Sequence, residues 1–258
     1  MPSATNLAVV VSFHNMRREA PRTLYSLTPS YQQGGEDLLY EVVALDNGSA
    51  YPLREECVKR IGGDAFSYAY VETSSGSPAA AINDAARASD ADLITCVIDG
   101  ARILSPGILA HSVAASRCFR HPFVYTIGMH LGPKPQNESV LEGYDRDAED
   151  ALLETVDWRA NGYALFVVSS VALSSKLGFF SELIESNCFT MRRHDFLRLG
   201  GLDEAFCAPG GGLVNLDLFN RVHDDPRMSP ILLLGEATFH QFHGGAATNV
   251  PMIPAYAT

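Results

Sequence analysis

Two aspartates and two histidines are the residues of this chain best suited to bind a metal ion. Asp46 and Asp99 each end a short apolar run and lead into a glycine-containing turn, and His240 and His243 lie far along the chain, just before two glycines. A carboxylate and an imidazole that converge from distant segments can hold Mg²⁺ or Mn²⁺, whose other positions are filled by phosphate oxygens and water. The same residues also suit an ordinary Asp-Asn-Gly turn and a loop of hydrogen-bonded histidines, so both interpretations stay open at this point.

The sequence lacks the motifs with which other enzyme classes bind phosphate or activate a serine. The first apolar run is followed by His-Asn-Met-Arg-Arg at 14–18, and Gly-Lys-Ser and Gly-Lys-Thr do not occur. This argues against a P-loop NTPase and against a dinucleotide-binding Rossmann domain. A Gly-x-Ser-x-Gly elbow is also missing, so we interpret 74–77 as a loop that leads into a helix.

The elements that must position these residues alternate regularly over the first 130 positions. The predicted strands are 7–13, 41–46, 66–71, 92–99 and 123–129, and the predicted helices are 16–27, 52–61, 78–88 and 106–119. This alternation predicts βαβ units and an α/β fold with a mostly parallel central sheet flanked by helices. Such sheets bind ligands at the carboxyl ends of their strands, where Asp46 and Asp99 are expected.

The alternation stops after position 130. The segment 132–150 contains two prolines and a cluster of acidic residues, which predicts either a mobile lid or a solvated surface segment. After this segment the sequence predicts two helices, at 193–199 and 213–222, and a strand at 229–234. This strand leads to His240 and His243.

Composition restricts the partners and the compartment. The 19 Lys and Arg against 30 Asp and Glu give a net charge of −11, which disfavours nucleic acids and anionic membranes. With 47% hydrophobic residues the chain can fill one large domain. The five cysteines form no Cys-x-x-C pair, and no basic leader is present, which predicts a cytoplasmic protein. The sequence also has no long apolar stretch, so we expect no membrane span. The sequence leaves open whether the protein is a homo-oligomer.

Six short motifs occur in the order found in family 2 glycosyltransferases with the GT-A fold. They read VVVSFHN at 9–15, VVALDNGS at 42–49, SPAAAIN at 77–83, LITCVID at 93–99, GGLDE at 200–204 and HQFH at 240–243. The chain therefore resembles this family over nearly its whole length. The resemblance implies a single-domain GT-A glycosyltransferase, a Rossmann-like α/β/α sandwich. In it, 7–130 bind a nucleoside-diphosphate sugar, 131–245 bind the acceptor and 246–258 form a tail.

The resemblance also implies which residues contact the donor. These are Phe13, Asn15, Arg17, Asp46, Asn83, Asp99 and Arg102. Where the family has Asp-x-Asp, this chain reads Asp-Gly-Ala from Asp99 onward, so His240 or His243 is expected to complete a site for Mg²⁺ or Mn²⁺. The alternative is that Arg17, Arg18 or Arg102 neutralises the diphosphate.

A general base is harder to assign, because the family motif Gly-Glu-Asp-x-Asp-Leu reads GLVNLDL at 212–218. Asp217 is the carboxylate that remains in it, and Asp217 or Glu204 is the expected base of an inverting transfer; Glu185 and Asp203 are further carboxylates for the acceptor side. A surface or capping role explains Asp217 equally well. Similarity of 200–218 to retaining peptide N-acetylgalactosaminyltransferases keeps a retaining route open.

The expected activity is metal-assisted transfer of a sugar, a hexose by the resemblance, from a UDP- or GDP-linked donor to the hydroxyl group of a saccharide or other acceptor. Two alternatives remain. A non-catalytic sugar- or nucleotide-binding module would explain the incomplete metal and base motifs. A nucleotidyltransferase would share the sheet, but 14–18 lack the glycines that it needs.

Overall fold

The computed structural model describes residues 6–35, 38–73, 75–180 and 186–245. Glu185 and the predicted tail 246–258 lie outside the described residues. Within these ranges, no helix has the length and apolar character needed to cross a lipid bilayer.

Strands and helices alternate in the amino-terminal part. The strands are β1 (Leu7–Phe13), β2 (Tyr40–Asn47), β3 (Phe66–Val71) and β4 (Leu93–Val97), and the helices are α1 (Ala20–Tyr25), α2 (Glu55–Gly62), α3 (Ala79–Ala88) and, after the short strand β5 (Arg102–Leu104), α4 (Ile108–Cys118). β1 pairs in parallel with β2 and β4, and β2 pairs in parallel with β3. The predicted βαβ alternation is confirmed.

The carboxyl-terminal part extends the same sheet. Its strands are β6 (Pro122–Leu131), β7 (Ser169–Val171), β8 (Cys188–Arg192) and β9 (Ser229–His240), and its helices are α5 (Gln136–Ser139), α6 (Arg146–Leu153), α7 (Arg193–Arg198) and α8 (Val214–Asp224). The strand order is β3-β2-β1-β4-β8-β6-β9-β5, with β7 beside β6. β6 and β9 are parallel, whereas β8 runs antiparallel between β4 and β6. The α/β fold with helices around a central sheet is confirmed, and β8 joins its two parts.

Both faces of β1 are covered, and every residue of this strand is buried. Val9 and Val11 pack with Leu24 of α1 in one hydrophobic cluster, and Val10 packs with Ile82 of α3 in the other. Because successive side chains of a strand point to opposite faces, a strand with a layer on each side must be apolar throughout. This explains the uninterrupted apolar run from which the strand was predicted.

The largest differences from the predicted ends occur in α1 and β9. The helix expected at 16–27 is confined to α1, because Pro21 has no N–H and is tolerated only in the first turn of a helix. The strand expected to end at 234 continues to His240. A register irregularity between Tyr125 and Ile127 of β6 lets β9 bend and then resume pairing.

The segment 132–150, expected to be a lid or a solvated surface, is largely helical and packed. It contains α5 and the beginning of α6, and both Gln136 and Glu149 are fully buried. Asp150 forms ion pairs with Arg18 and Arg22 of the amino-terminal part. Glu149 and Asp150 pack against arginines that are remote in sequence, which no loop prediction anticipates, whereas Asp145 and Asp147 are exposed as expected for a surface segment.

Candidate active site

Three side chains meet just beyond the carboxyl end of β4. Asp99 Oδ2 lies 3.0 Å from His240 Nε2, and Asp99 Oδ1 lies 3.9 Å from His243 Nε2. The two Nε2 atoms are 3.2 Å apart, and the ligand atoms of all three residues lie within 4.8 Å of one another. The structure brings together the three residues that the sequence predicts as metal ligands.

Strand pairing explains how these distant segments meet. His240 ends β9, where it pairs with Arg102 of β5 on one side and with His130 of β6 on the other. Because β5 begins shortly after Asp99, the turn between β4 and β5 carries Asp99 to the end of β9. The site is therefore built on the sheet itself.

Gly100 allows this turn to lie against the end of β1. Its N–H donates to Ser12 O at 2.8 Å, and a Cβ at this position would lie 2.3 Å from Cδ1 of Phe13 and 2.6 Å from Ser12 O. Ala101 then enters the core, where it is completely buried. A second carboxylate at position 101 would have to be buried too, which gives a structural reason for the incomplete Asp-x-Asp motif.

The charges at this site favour the metal-binding forms of its groups. Burial raises the pKa of the Asp99 carboxyl, but the nearby His243 and His240 outweigh this effect. Together with Arg102, whose Nε lies 3.7 Å from Asp99 Oδ2, they hold the pKa of Asp99 well below its usual range. Burial lowers the pKa of His240 to about 4 in spite of Asp99. Near pH 7 the site thus contains an anionic carboxylate and a neutral imidazole.

Two of the residues predicted to bind the nucleotide, Asn15 and Asp46, contact the loop that follows β2. Asn15 has a φ of 55°, and its Oδ1 accepts from the Ala50 N–H at 2.9 Å while its own N–H donates to Ser49 Oγ at 2.8 Å. Asp46 is fully buried and accepts from the backbone N–H groups of Ser49 at 3.1 Å and Leu53 at 2.6 Å. Asn15 and Asp46 therefore shape this loop.

Phe13, Arg17 and Asn83 have different surroundings. Phe13 is completely buried, backbone included, so this residue offers no surface to a ligand in this structure. The Arg17 side chain is exposed and donates to Pro52 O at 2.7 Å. Asn83 is buried in α3, and its Nδ2 donates to Leu202 O at 2.8 Å. Their contacts with a nucleotide stay predictions.

Comparison with known proteins gives the fold a name. No protein-family model and no curated protein matches the sequence. The structure is similar to TarS, a GT-A glycosyltransferase of S. aureus, in its fragment 1–349 (TM-score 0.59, 14% identity, 92% of this chain and 60% of that one). The same fragment in complex with UDP-GlcNAc gives a TM-score of 0.60 at 15% identity, over 96% of this chain and 62% of that one. The chain has the GT-A glycosyltransferase fold. It spans about 60% of the length of these TarS fragments.

The amino end of α8 lies at the same edge of the GT-A sheet as Asp99. Asn187, just before β8, accepts from the Ile98 N–H at 2.9 Å through its backbone oxygen. Asn215 Nδ2 donates to Asn187 Oδ1 at 3.4 Å. Asp217 follows in the first turn of α8, and that its carboxylate faces an acceptor stays a prediction.

The two predicted bases are each paired with an arginine. Asp217 Oδ2 accepts from Arg221 Nη2 at 2.6 Å, and Glu204 Oε1 lies 3.4 Å from Arg87 Nη2. Among the described residues, no hydrogen bond or ion pair joins Asp217 or Glu204 to the three side chains at the end of β4. Their catalytic roles stay predictions.

Sequence reasoning missed the residues that hold the histidine-bearing segment. Glu149 Oε2 accepts from the Phe242 N–H at 2.5 Å, and Arg18 Nη1 donates to Phe242 O at 3.2 Å. Gln136 Oε1 lies 2.8 Å from His240 Nδ1. No motif marks Gln136 or Glu149, and the acidic cluster at 145–150 was the one signal that could have pointed to this packing.

A second group of metal-binding residue types occurs where β6 begins and α7 starts. It consists of His121, His194 and Asp195. Asp195 Oδ1 already lies 2.9 Å from His121 Nδ1 and 3.2 Å from Arg198 Nη2. This buried carboxylate is neutralised by an arginine, so the group is explained as an ion-pair network without a cation.

Proposed function

We propose that this protein is a metal-assisted glycosyltransferase that moves a sugar from a nucleoside-diphosphate sugar to a hydroxyl group of a saccharide or another acceptor. The observation that carries the proposal is the convergence of Asp99, His240 and His243 at the ligand-binding edge of a GT-A sheet. TarS has been crystallised with UDP and with UDP-GlcNAc, which favours a UDP-linked donor over a GDP-linked one.

The donor set fits a divalent cation. Asp99 offers an anionic oxygen, and His240 and His243 offer ring nitrogens within ligand distance of the same point. Mg²⁺ prefers oxygen ligands, whereas imidazole suits transition metals better, so two histidines favour Mn²⁺ over Mg²⁺. When bound, the cation would supply charge neutralisation for the leaving diphosphate.

The remaining site residues support the same activity. Arg17 is exposed beside the loop after β2, and Arg102 lies directly behind Asp99; both can compensate donor charge. Asn15 and Asp46 hold the loop that would carry the base and ribose. We assign the acceptor side to Asp217 and Glu204, and either carboxylate can serve as the base of an inverting transfer.

Nucleotide binding to the Asp99→Asn variant tests the proposal. Titration calorimetry of the wild-type protein with UDP should give a Kd that is tightened by Mn²⁺. Asp99→Asn should lose this Mn²⁺-dependent gain, because the amide removes the one anionic ligand. Asp84→Asn, at an exposed surface ion pair, is the matched control and should keep it. Equal Mn²⁺ dependence in wild type and Asp99→Asn would overturn the metal assignment.

A non-catalytic binding module is the second candidate. Ala101 and Asn215 stand where the family motifs have carboxylates, which favours this alternative. Donor binding without hydrolysis or transfer to any tested acceptor would support it, and release of UDP from a UDP-sugar in the presence of an acceptor would exclude it.

A further inference from the structure

One buried amide lies directly behind the histidine ligands. Gln136, at the start of α5, is completely buried between the ends of β6 and β9. Its Nε2 donates to Leu131 O at 3.3 Å and to His240 O at 3.0 Å. Because carbonyl oxygens only accept hydrogen bonds, these two contacts fix the amide with its NH₂ group toward them and its Oε1 on the other side.

The orientation of this amide determines which nitrogen of His240 carries the proton. Gln136 Oε1 lies 2.8 Å from His240 Nδ1, and an amide oxygen can only accept, so Nδ1 must donate. In the neutral ring, Nε2 then holds the lone pair. That Nε2 atom lies 3.0 Å from Asp99 Oδ2 and 3.2 Å from His243 Nε2.

The competing tautomer is a real alternative in this structure. With the proton on Nε2, His240 could donate to Asp99 at 3.0 Å, and the position between them would be closed to a cation. The Gln136 amide is held against such a change by its bonds to Leu131 O and His240 O, and its backbone is fixed by the N–H that donates to His130 Nδ1 at 2.9 Å. His130 is the residue opposite His240 in the pairing of β6 with β9.

We propose that Gln136 is a positioning residue of the cation site, which holds His240 in the Nδ1–H tautomer and directs the Nε2 lone pair toward a divalent cation shared with Asp99 and His243. The role of the cation rests on the proposed function, whereas the tautomer of His240 does not. Partners that orient a metal-binding histidine typically contribute about 10- to 100-fold to metal affinity.

The tautomer is tested on the unaltered, metal-free protein. Nitrogen-15 NMR of histidine-labelled protein after EDTA treatment, with the His240 signals assigned by comparison with His240→Gln, should show a protonated Nδ1 and an unprotonated Nε2. A protonated Nε2 near pH 7, with or without a proton on Nδ1, would overturn the proposal, whether or not the protein binds metal or nucleotide.

The effect on metal binding is tested with Gln136→Leu, or with Gln136→Met if that variant does not fold. Mn²⁺ affinity, measured by electron paramagnetic resonance of free Mn²⁺, should fall about 10- to 100-fold, and the Nε2–H tautomer of His240 should become populated. Ser139→Ala is the matched control, since Ser139 is buried on the same helix and donates to Lys134 O; its Mn²⁺ affinity and tautomer should stay unchanged.

The outcomes separate this inference from the proposed function. Wild-type affinity for Mn²⁺ in the Gln136 variants would overturn the positioning role while leaving the metal site intact. A Nδ1–H tautomer in a protein that binds no Mn²⁺ and no UDP would instead contradict the proposed function. Weaker binding in the Gln136 variants without a change of tautomer would assign Gln136 a purely structural role and overturn the inference.

Discussion

At the scale of single residues, the sequence pattern identifies Asp99 clearly, whereas it gives only weak signals for the other carboxylates of the predicted site. Asp99 follows a buried strand and precedes a glycine, and the close packing of Gly100 against Phe13 explains that dipeptide. The two carboxylates predicted for the acceptor side are not marked by such a packing contact. Asp217 and Glu204 both fit the role of a base in type, and both have an arginine partner.

Kinetics of two amide variants should distinguish these carboxylates. A general base typically contributes about 10²- to 10⁴-fold to a rate, so Asp217→Asn should lower kcat by at least about 100-fold if Asp217 takes the acceptor proton. The KM for the donor should not change, since an amide oxygen can still accept from Arg221. Glu204→Gln is the matched variant and should keep most of the activity. We favour Asp217 because it lies in the first turn of α8, whose amino end is linked through Asn187 to the end of β4.

The pH profile provides a second readout of the same pair. Loss of the acidic limb of kcat in Asp217→Asn would support its role as a base, whereas wild-type kcat and pH profiles in both variants would favour the retaining route, in which the leaving phosphate takes the proton.

At the scale of elements, the sequence predicts the ends of strands best where the strand itself has a clear apolar pattern. β1 begins and ends at the predicted residues, because a strand covered on both faces is apolar throughout and bounded by turns. The edge strand β3, which is only partly buried, also has the predicted ends. The packing of the segment 132–150 could not be predicted for the opposite reason. Its buried Glu149 contacts Arg18 and Arg22, which lie more than a hundred positions earlier, and its buried Gln136 contacts the backbone of β6 and β9.

The same reasoning applies to the site. The three candidate ligands, Asp99, His240 and His243, could be inferred from residue types and from the order of family motifs. Gln136 and Glu149 could not, because their importance comes from hydrogen bonds to the backbone of β9 and the segment after it. A hydrogen bond to a main-chain atom places no constraint on the partner's residue type, so it leaves no pattern in the sequence.

The contact of α6 with the histidine-bearing segment predicts a pH dependence. Burial raises the pKa of Glu149 to about 7, although the Phe242 N–H, Arg18 and Arg22 favour its ionised form. Between about pH 4.5 and pH 7 the unfolded chain is ionised at this position while the folded protein keeps the proton, so the free energy of unfolding falls as the pH rises through this window. The loss attributable to this group is about 3 kcal/mol.

Urea unfolding at several pH values measures this effect. Glu149→Gln cannot ionise and should lose less stability between pH 5 and pH 7.5 than the wild type does. Asp147→Asn, at an exposed position on the same helix, is the control and should follow the wild type. If the free energy of unfolding of Glu149→Gln changed with pH as that of the wild type does, the prediction would be wrong, and Glu149 would be better solvated in the folded protein than its burial indicates.

At the scale of the whole molecule, the excess of acidic residues and the site have to be considered together. A net charge of −11 repels a diphosphate in general, yet the site collects positive charge at one edge of the sheet. Arg102 lies behind Asp99, Arg17 lies beside the loop after β2, and the proposed cation adds two further charges. The overall charge therefore opposes polyanionic partners, while local charge permits a small anionic donor.

Both parts of the chain contribute to this edge, which predicts that they unfold together. Trp158 is the single tryptophan and is nearly completely buried. It belongs to the carboxyl-terminal part, but its ring lies 5.7 Å from that of Tyr25 in α1 and 6.1 Å from that of Tyr31. Its fluorescence thus reports on the contact between the parts, whereas far-UV circular dichroism reports on all elements. We expect the two signals to give one cooperative transition with the same Tm.

Mn²⁺ with UDP at about 100 times its Kd should add about 2.7 kcal/mol to the free energy of unfolding. This raises both Tm values together by roughly 5–10 °C. A tryptophan transition that separates from the circular dichroism transition, or a ligand shift seen by one probe alone, would show that residues 131–245 fold as a domain of their own.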